Sequence, residues 1–526
     1  MRNVVLTGFM GSGKTTIGRA VARRLGRPFV DMDAEIVHRA GRSIERIFAE
    51  DGEAAFRRLE SALCAELSQR EGLVIATGGG TLVDPANRAA MRERSVVVCL
   101  DCALAEVLDR LGGETSRPLL GGPEPRSAAR QLLAARREAY AAIPWHVDTT
   151  SLSVDAAAAR VADLAGTRTV RCRHPAGRYA IHVGDGLLTH AGGAIRAAGV
   201  LERSRVAVVT NTVVGPLWGA RLETSLRQAG FEPFTCVIPD GERHKTLATV
   251  EALYGQFLAG DLRRSDAVVS LGGGVTGDIA GFAAATFKRG VRFARVPTTL
   301  LAMVDASVGG KTGVNLAAGK NLVGAFKQPV AVVVDPRVLA TLPAGEVRSG
   351  LAEMLKHGLI GDRALFAELE GGPSGSKIAP SSAQIIRALR VKIDIVEGDP
   401  FEIRRRVVLN LGHTVGHALE RLSGFEMRHG EAVSIGMVAA ARISADIGWA
   451  DRSLVERIEA ALSAWGLPVR CPPYEAERIV DALTHDKKER RCGLEWVLPR
   501  AVGDVEVTTG VPEAVVKSAL RGMGAR

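Results

Sequence analysis

The first residues of the chain that could do chemistry form a glycine-rich loop between Gly8 and Thr15. The loop reads G-x-x-x-x-G-K-[ST] and lies between an apolar run typical of a strand and a stretch typical of a helix. Backbone N–H groups in such a turn bind phosphate oxygens, the lysine neutralises their charge and the hydroxyl ligates magnesium. We therefore predict a nucleotide phosphate site at Gly11, Ser12, Gly13, Lys14, Thr15 and Thr16.

Residues for a phosphate acceptor follow in the same stretch of chain. Asp31 and Asp33 end the second apolar run, at the edge where parallel sheets bind ligands, and Gly78–Gly80 end the third. Asp101 ends a further apolar run, so the spacing alone leaves Asp31 and Asp101 as alternatives for holding magnesium. Three single arginines are candidates for binding a carboxylate, although a single arginine is typically a solvated surface charge. They are Arg57, Arg117 and Arg136.

A second glycine motif, Gly272–Gly277, matches G-x-G-x-x-G after the apolar run Ala267–Leu271. Alone it is weak evidence, because the acidic ribose ligand expected about 20 residues later is replaced by Pro297-Thr298-Thr299. The adjoining Asp278 and the upstream stretch Asp240–Lys245 offer acidic groups instead. A dinucleotide pyrophosphate site is the better interpretation than a bare turn.

Histidines in the last third of the chain have the spacing of metal ligands. His413 and His417 are four residues apart on one helical face, and His429 follows soon after. Neutral imidazole and carboxylate suit zinc, and Glu353 is a candidate carboxylate. The spacing does not decide which three bind, and hydrogen-bonded structural histidines are the alternative.

Several lysine and arginine residues occur in the same region, some of them among glycines, asparagines and small residues. Singly, each is typically a solvated surface charge; together they indicate a pocket for an anion. They are Lys311, Lys320, Lys356, Lys392 and Arg406.

Alternating apolar and amphipathic stretches must position these groups, and they predict β-α-β units on parallel sheets. We predict an α/β fold: a phosphate-loop domain with a parallel sheet over 1–166, a linker over 167–176 without a strand or helix period, a Rossmann-like α/β domain over 177–338, and a mainly α-helical metal-binding domain over 339–526. At 526 residues, about three domains are expected.

Composition excludes several classes of protein. A hydrophobic content of 46% argues against a disordered chain, and no apolar run is long enough to span a membrane. The net charge of +10 raises the question of nucleic acid, but aromatic residues are only 4% and no block of Lys and Arg stands out. We expect a cytoplasmic enzyme without a signal peptide, an anionic small-molecule substrate, and seven cysteines that are reduced core thiols, the pair Cys99 and Cys102 forming no zinc knuckle.

Over residues 2–166 the chain resembles shikimate kinase. The resemblance rests on the phosphate loop, Asp31-Met32-Asp33, Phe56-Arg57 with Glu60, the triple glycine, Ser116–Leu120, and Arg136 four residues before Tyr140. It implies that Asp33, Arg57, Gly79, Gly80 and Arg136 hold shikimate, and that Asp31 and Thr15 support magnesium. It also implies that Lys14, Asp33 and Arg117 are catalytic, with Arg117 on a mobile lid over ATP.

From about Val170 onward the chain resembles 3-dehydroquinate synthase. The segments that carry this resemblance are Asp240–Lys245, Gly272–Asp278, Pro297–Ala302, Val304–Asn315, Asn410–His417 and His429–Ala432. It implies zinc or cobalt on Glu353, His413 and His429, with His417 left for proton transfer. The implied NAD contacts are Asp240, Glu242, Lys245, Gly274, Asp278, Thr298, Thr299 and Lys320.

The same resemblance implies a set of substrate-binding residues, of which Lys311, Lys356, Lys392 and Asn410 would be catalytic along with His417. The set is Asp305, Lys311, Asn321, Lys356, Lys392, Arg406, Asn410, Lys487 (or its neighbour Lys488), and Arg289 from a partner subunit. We therefore expect a bifunctional enzyme, homodimeric through the synthase half, whose halves work independently when cut within 167–176. The rivals are a polyol dehydrogenase or another sugar-phosphate cyclase in the second half, and a nucleotide-binding regulator that uses the positive charge on nucleic acid.

Overall fold

The computed structural model of the chain describes residues 1–110, 125–373, 378–403, 405–487 and 494–526. These residues form two compact units. Unit 1 comprises residues 1–169, 184–204 and 221–233, and unit 2 comprises residues 170–183, 205–220 and 234–526. Within the described ranges, no helix is long and apolar enough to cross a membrane.

Unit 1 is organised by a parallel five-stranded sheet. Its elements in chain order are β1 (Asn3–Gly8), α1 (Lys14–Leu25), β2 (Phe29–Asp31), α2 (Met32–Ala40), α3 (Ile44–Asp51), α4 (Glu53–Gln69), β3 (Val74–Ala76), α5 (Pro85–Arg94), β4 (Ser95–Asp101), α6 (Leu104–Arg110), α7 (Pro125–Ala141), β5 (Trp145–Asp148) and α8 (Val154–Leu164). The strand order is β2-β3-β1-β4-β5, and all four pairings are parallel. The predicted parallel sheet of the first domain is therefore confirmed.

Glycine makes the turn between β1 and α1 possible. Gly11 and Gly13 have φ angles of 74° and 89°, which residues with a side chain rarely adopt. Helix α1 starts at the next residue, Lys14, and buries Ile17 and Val21, four residues apart on one face. The carboxyl ends of β1, β2 and β3 consequently meet beside the start of α1.

A seven-stranded sheet organises the first part of unit 2. Between residues 168 and 334 the chain forms β6 (Arg168–His174), β7 (Gly177–Val183), α9 (Ala191–Ala197), β8 (Arg205–Asn211), α10 (Val214–Gln228), β9 (Glu232–Ile238), α11 (Leu247–Ala259), β10 (Ala267–Gly272), α12 (Gly274–Thr286), β11 (Arg292–Pro297), β12 (Lys311–Leu316), β13 (Gly319–Phe326) and β14 (Ala331–Val334). Of these elements, α9 and the part of α10 from Arg221 onward belong to unit 1. The order is β6-β7-β14-β11-β10-β8-β9. Strands β9 and β10 lie on opposite sides of β8, so the chain reverses direction across the sheet there, at the position where α/β sheets form ligand crevices.

The segment predicted to be a linker contains strand β6, which is a correction. Its sequence does alternate: Cys172 is buried, whereas Arg171 and Arg173 are exposed on either side. This is the pattern of an edge strand with one solvent-exposed face. Because arginines occupy that face, the two-residue periodicity was not recognised in the sequence. A cut within Arg168–His174 would interrupt this edge strand, and the independence of the two halves after a cut stays a prediction.

The last part of unit 2 is mainly helical, as predicted. Its elements are α13 (Ala344–Gly361), α14 (Arg363–Glu370), α15 (Ser382–Gly398), α16 (His413–Leu422), α17 (His429–Asp446), α18 (Arg452–Ala464), α19 (Ala476–Lys487), β15 (Trp496–Ala501), β16 (Asp504–Thr508) and α20 (Glu513–Gly522). The antiparallel hairpin β15–β16 was not predicted.

The apolar pattern of 407–422 predicts one continuous helix, but Gly412 has φ 78° and divides this stretch. Helix α17 passes so close that a Cβ on Gly436 would lie 1.8 Å from the Gly412 carbonyl oxygen. These two glycines let the start of α16 approach the middle of α17.

Candidate active sites

In the glycine loop of unit 1, the lysine side chain contacts the backbone of the same loop. The Lys14 ammonium donates to the carbonyl oxygens of Gly8 and Phe9 at 3.1 and 2.9 Å. Ser12 is fully buried, and its hydroxyl has no hydrogen-bond partner. Lysine and N–H groups at the start of a helix are the arrangement that binds a phosphate chain.

The structure brings together one of the two alternatives for magnesium. The Thr15 hydroxyl donates to Asp31 Oδ2 at 2.6 Å, so the hydroxyl and the carboxylate predicted to support magnesium are adjacent. Asp101 instead pairs with His146 at 2.8 Å. This geometry favours Asp31 as the magnesium-supporting carboxylate.

Three of the residues predicted to bind the acceptor surround the triple glycine. A Cβ on Gly79 would lie 3.0 Å from an Arg136 nitrogen, and one on Gly80 only 2.5 Å from an Arg57 nitrogen. A Cβ on Gly78 would lie 2.9 Å from Asp33 Oδ1. The glycines are required because the side chains approach the backbone directly.

Glu60 is a residue of this pocket that we did not assign a role. Its side chain is 2% exposed and forms an ion pair with Arg57, and it accepts a hydrogen bond from Thr81 Oγ1 at 2.5 Å. Burial would lower the pKa of Arg57, but Glu60 and Glu53 outweigh it and the pKa is raised. Glu60, three residues after Arg57 on α4, therefore fixes the direction of that guanidinium. Arg117 lies outside the described residues.

The second glycine motif lies at the carboxyl edge of the sheet of unit 2. Helix α12 begins at Gly274, directly after β10, and Thr298 N donates to the Gly272 carbonyl at 3.0 Å across the neighbouring strand end. Thr298 is buried with an unpartnered hydroxyl. Thr299 approaches Gly273, where a Cβ would meet its methyl group at 2.9 Å. The motif residues predicted to bind a dinucleotide thus share one edge.

Lys245 connects the remaining residues predicted to bind NAD. Its buried ammonium donates to Asp278 Oδ2 at 2.9 Å and to Asn321 Oδ1 at 2.6 Å. Asp278 also accepts from Arg295 at 3.2 Å, so it neutralises two cations. Upstream, Asp240 accepts from Asn211 and Glu242 accepts from Asn315.

Three of the four predicted metal-binding candidates converge in unit 2. Glu353 Oε1 lies 3.7 Å from His413 Nε2 and 3.4 Å from His429 Nε2, and one donor atom from each residue can be placed within 4.8 Å of the others. His413 and His429 are the first residues of α16 and α17. The His417 ring stands 5.2 Å from that of His413 and 6.4 Å from that of His429, beside this group of three and outside it.

Glu353 is the residue whose surroundings most require a cation. It is fully buried, and neither carboxylate oxygen accepts a hydrogen bond, although the Lys356 ammonium forms an ion pair with it. Burial alone would raise the pKa of Glu353, but Lys356 and the two histidines hold the pKa well below its ordinary value. Burial, reinforced by Lys356, lowers the pKa of His413. An ionised carboxylate and a neutral imidazole with free lone pairs fit zinc.

Glu420 is a second residue that we missed. Its Oε1 lies 3.5 Å from His429 Nδ1, the nitrogen that faces away from Glu353, and 3.8 Å from the Lys320 ammonium. A carboxylate behind a metal-binding histidine fixes the orientation of its ring. Its position in the sequence could have indicated this role, since Glu420 follows His413 by seven residues and lies on the same face of α16.

Asp305 lies in a cluster of buried charges next to the metal-binding candidates. Lys392 forms an ion pair with it, and His357 Nε2 lies 3.9 Å away. Burial would raise the pKa of Asp305, but Lys392 outweighs this and the pKa is lowered. His357 is fully buried with both ring nitrogens unpartnered, and burial lowers its pKa to about 4.

The other predicted substrate residues have varied surroundings. Lys311 forms an ion pair with Glu402, and the buried Arg406 donates to the Pro400 carbonyl at 3.3 Å and approaches Gly309. Asn410 ends the short 3-10 helix before α16, and Arg289 is exposed at a turn with φ 62°. Lys487 ends α19, whereas Lys488 lies outside the described residues.

Fold and sites together define two catalytic classes on one chain: a phosphate-loop kinase and a Rossmann-type enzyme with a metal centre. Residues 10–165 match the family profile of shikimate kinase. Residues 235–349 and 350–489 match the profiles of the N-terminal and C-terminal parts of 3-dehydroquinate synthase.

Individual relatives agree with these profiles. The chain is 43% identical over 354 residues to a 3-dehydroquinate synthase of Synechococcus sp., covering 66% of this chain and 96% of that protein. It is 47% identical over 333 residues to that of Geobacter metallireducens, covering 62% and 92%. A solved 2-epi-5-epi-valiolone synthase from Streptomyces hygroscopicus subsp. jinggangensis 5008, with NAD+ and Zn2+ bound, is 30% identical with a TM-score of 0.61, covering 66% and 96%. The chain belongs to the 3-dehydroquinate synthase family, and a shikimate kinase domain precedes the synthase in its sequence.

Proposed function

We propose that the two clusters of side chains described above are the active sites of two shikimate-pathway reactions. The chain is a bifunctional enzyme: it phosphorylates shikimate with ATP, and it converts 3-deoxy-arabino-heptulosonate 7-phosphate to 3-dehydroquinate and phosphate. The convergence of Glu353, His413 and His429 beside the buried cations carries the assignment of the synthase site.

In the kinase site, residues of this chain bind both partners of phosphoryl transfer. Lys14 and the loop N–H groups bind the phosphate chain of ATP, and Thr15 with Asp31 holds the magnesium that accompanies it. Arg57 and Arg136 bind the shikimate carboxylate as bidentate partners. Asp33 orients the ring hydroxyl that attacks, and Arg117 closes over ATP.

In the synthase site, NAD is held at the sheet edge formed by Gly274, Thr298 and Thr299, with the group around Lys245 and Asp278 beside it. Asp240, Glu242 and Lys320 complete the contacts with the cofactor. Bound NAD would supply reversible hydride transfer, and Glu353, His413 and His429 would hold the zinc or cobalt that supplies Lewis-acid polarisation of the reacting hydroxyl.

Buried cations recognise the substrate and stabilise its departing phosphate. Lys356 and Lys392 are buried away from water, where charge interactions are stronger than in water. His417 moves protons, and Asn410 orients the substrate. The remaining substrate contacts are Asp305, Lys311, Asn321, Arg406 and Lys487.

Product analysis tests the synthase function. Purified protein with the heptulosonate phosphate, NAD and zinc should release one phosphate per 3-dehydroquinate without net NADH. Accumulating NADH would indicate a polyol dehydrogenase, and a different cyclic product would indicate another cyclase. Shikimate with ATP and magnesium should separately give shikimate 3-phosphate.

We further propose a cytoplasmic homodimer in which Arg289 reaches the partner's synthase site. The arginine is exposed at a turn with left-handed backbone, as a residue that serves a second subunit must be. Mixing the Arg289→Ala and Glu353→Gln proteins should restore synthase activity, because each mixed dimer contains one site with both residues intact. Random exchange of subunits makes about half of the dimers mixed, so about a quarter of the wild-type number of sites should be active. No recovery on verified subunit exchange would place Arg289 in its own subunit's site.

A further inference from the structure

Unit 1 contains a group of three metal-ligating side chains that the kinase reaction does not use. Cys99 on β4 pairs in register with His146 on β5, and Asp101 follows Cys99 by two residues. Successive side chains on a strand point to opposite faces, so Cys99 and Asp101 share a face of the sheet. One donor atom from each of the three residues lies within 4.8 Å of the others.

Hydrogen bonding fixes the orientation of the His146 ring. Its Nε2 lies 2.9 Å from the carbonyl oxygen of Ile143, and because a carbonyl can only accept, Nε2 must carry the proton. Nδ1 then faces Asp101 Oδ2 at 2.8 Å. Metal-binding histidines commonly donate their second nitrogen to a backbone carbonyl in this way.

Two groups face the Asp101 carboxylate. The Cys99 thiol donates to Oδ1 at 3.7 Å, and His146 Nδ1 lies 2.8 Å from Oδ2. A divalent cation bound among them would displace the thiol proton and take thiolate, imidazole and carboxylate as its ligands. Burial and Asp101 raise the pKa of the Cys99 thiol, so the thiol keeps its proton until a cation displaces it.

The distances suit a small tetrahedral ion. Zinc with bonds of about 2.0–2.3 Å to nitrogen, oxygen and sulfur places its ligand atoms roughly 3.3–3.7 Å apart. The separation of 3.7 Å between Cys99 Sγ and Asp101 Oδ1 already has this value. The 2.8 Å between His146 Nδ1 and Asp101 Oδ2 must widen by at least about half an ångström, which Asp101 allows because its side chain is 46% exposed. The exposed side of Asp101 also leaves room for ion entry and a fourth, water ligand.

We propose that Cys99, Asp101 and His146 form a zinc-binding site in unit 1 that joins β4 to the edge strand β5. Its neighbour Thr149 donates to the carbonyls of Asp101 and Ser12 at 2.9 and 3.2 Å. The site therefore supports the segment that contacts the phosphate loop. It is distinct from the metal centre of the synthase, whose three proposed ligands include no sulfur.

Cobalt spectroscopy on the full chain distinguishes the two sites. Cobalt titration should load two ions per chain, and the ion in unit 1 should produce a near-ultraviolet thiolate-to-cobalt charge-transfer band. Cys99→Ser should abolish the band and reduce binding to one ion. Cys102→Ser, a matched control three residues away, should keep both.

A second variant covers the case in which the buried Cys99 substitution fails to fold. Asp101→Asn changes a half-exposed side chain and should weaken the affinity of this ion about 10- to 100-fold while the thiolate band persists at saturation. Wild-type protein that binds one ion with no thiolate band would overturn the proposal. So would a band that disappears in Cys102→Ser and remains in Cys99→Ser.

Discussion

The phosphate loop of unit 1 and the cluster of predicted metal ligands in unit 2, Glu353, His413 and His429, attract charged ligands by different means. The loop uses backbone groups and one lysine, whose ammonium binds carbonyl oxygens of the same loop. The cluster uses side chains from helices far apart in sequence, and its central carboxylate is fully buried without a hydrogen bond. The charged group of the loop, the Lys14 ammonium, therefore has hydrogen-bond partners before a ligand arrives, whereas the cluster depends on cations for its electrostatic balance.

This difference teaches where each site is vulnerable. Loss of one loop side chain removes a ligand contact but exposes no buried charge. Loss of one member of the cluster leaves another charge buried and unpaired, which costs several kcal/mol. Substitutions in the cluster should consequently affect metal content and stability together, whereas substitutions in the loop should affect turnover alone.

The largest effect is expected from Glu353→Gln. The substitution removes the charge that attracts zinc and leaves the Lys356 ammonium buried without its counter-ion, so synthase activity should fall at least about a thousandfold. Metal analysis should show that the zinc of this centre is lost. Glu346→Gln, at an exposed position on the same helix, is the matched control. Full zinc content in Glu353→Gln would remove Glu353 from the ligand set.

Lys14→Met should produce the next largest effect. Removing the ammonium that stabilises charge on the transferred phosphoryl group should lower kinase turnover about a hundred- to a thousandfold. The melting temperature should hardly change, because no buried charge is left behind. Arg24→Met, near the exposed end of the same helix, should keep full activity. A large loss of stability in Lys14→Met would contradict the contrast drawn between loop and cluster.

The pH dependence of stability should show how the cluster region responds to protonation. His357 has a pKa of about 4 when folded and 6.5 when unfolded, so the unfolded state takes up the proton first as the pH falls. The free energy of unfolding should therefore be fully retained above 6.5 and decrease by up to about 3 kcal/mol towards pH 4.

Denaturant titrations of the wild type and His357→Leu measure this effect. The variant, which has no titrating group at this position, should lose less stability over the same pH range. If both proteins lose stability equally, the buried neutral histidine is not its source.

Glu420→Gln should have the smallest effect. The amide can still contact His429 but no longer orients it as an anion, so zinc affinity should weaken about 10- to 100-fold. Competition with a chelator measures this directly. Glu426→Gln, at a nearby exposed position, should bind zinc normally. Unchanged zinc affinity in Glu420→Gln would show that the charge of Glu420 does not orient His429.

Local sequence rules predicted the elements that local contacts determine. Apolar periodicity predicts a helix over 14–25 and a strand over 95–101, and helix α1 and strand β4 have these bounds. Strand β6 was missed since arginines occupy its exposed face, and β15–β16 was missed within a stretch interpreted as helical. Both are determined by pairing with other strands, which a single segment does not reveal.

The same distinction between local and long-range contacts separates the site residues that were predicted from those that were missed. The glycine loop could be predicted from its motif, because its chemistry lies within eight consecutive residues. Histidine spacing indicated a metal but not its ligands, and Glu353 was assigned only through resemblance to a family. Glu60 and Glu420 act through other side chains, so no motif marked them, although Glu60 lies three residues from Arg57 on one helix and Glu420 lies seven residues from His413 on another.

The central claim is that this chain contains two independent catalytic centres, and measuring both activities in Lys14→Met and Glu353→Gln tests it most directly. We predict that Lys14→Met loses kinase activity and retains synthase activity, and that Glu353→Gln shows the reverse. Parallel loss of both activities in either folded variant would contradict the account.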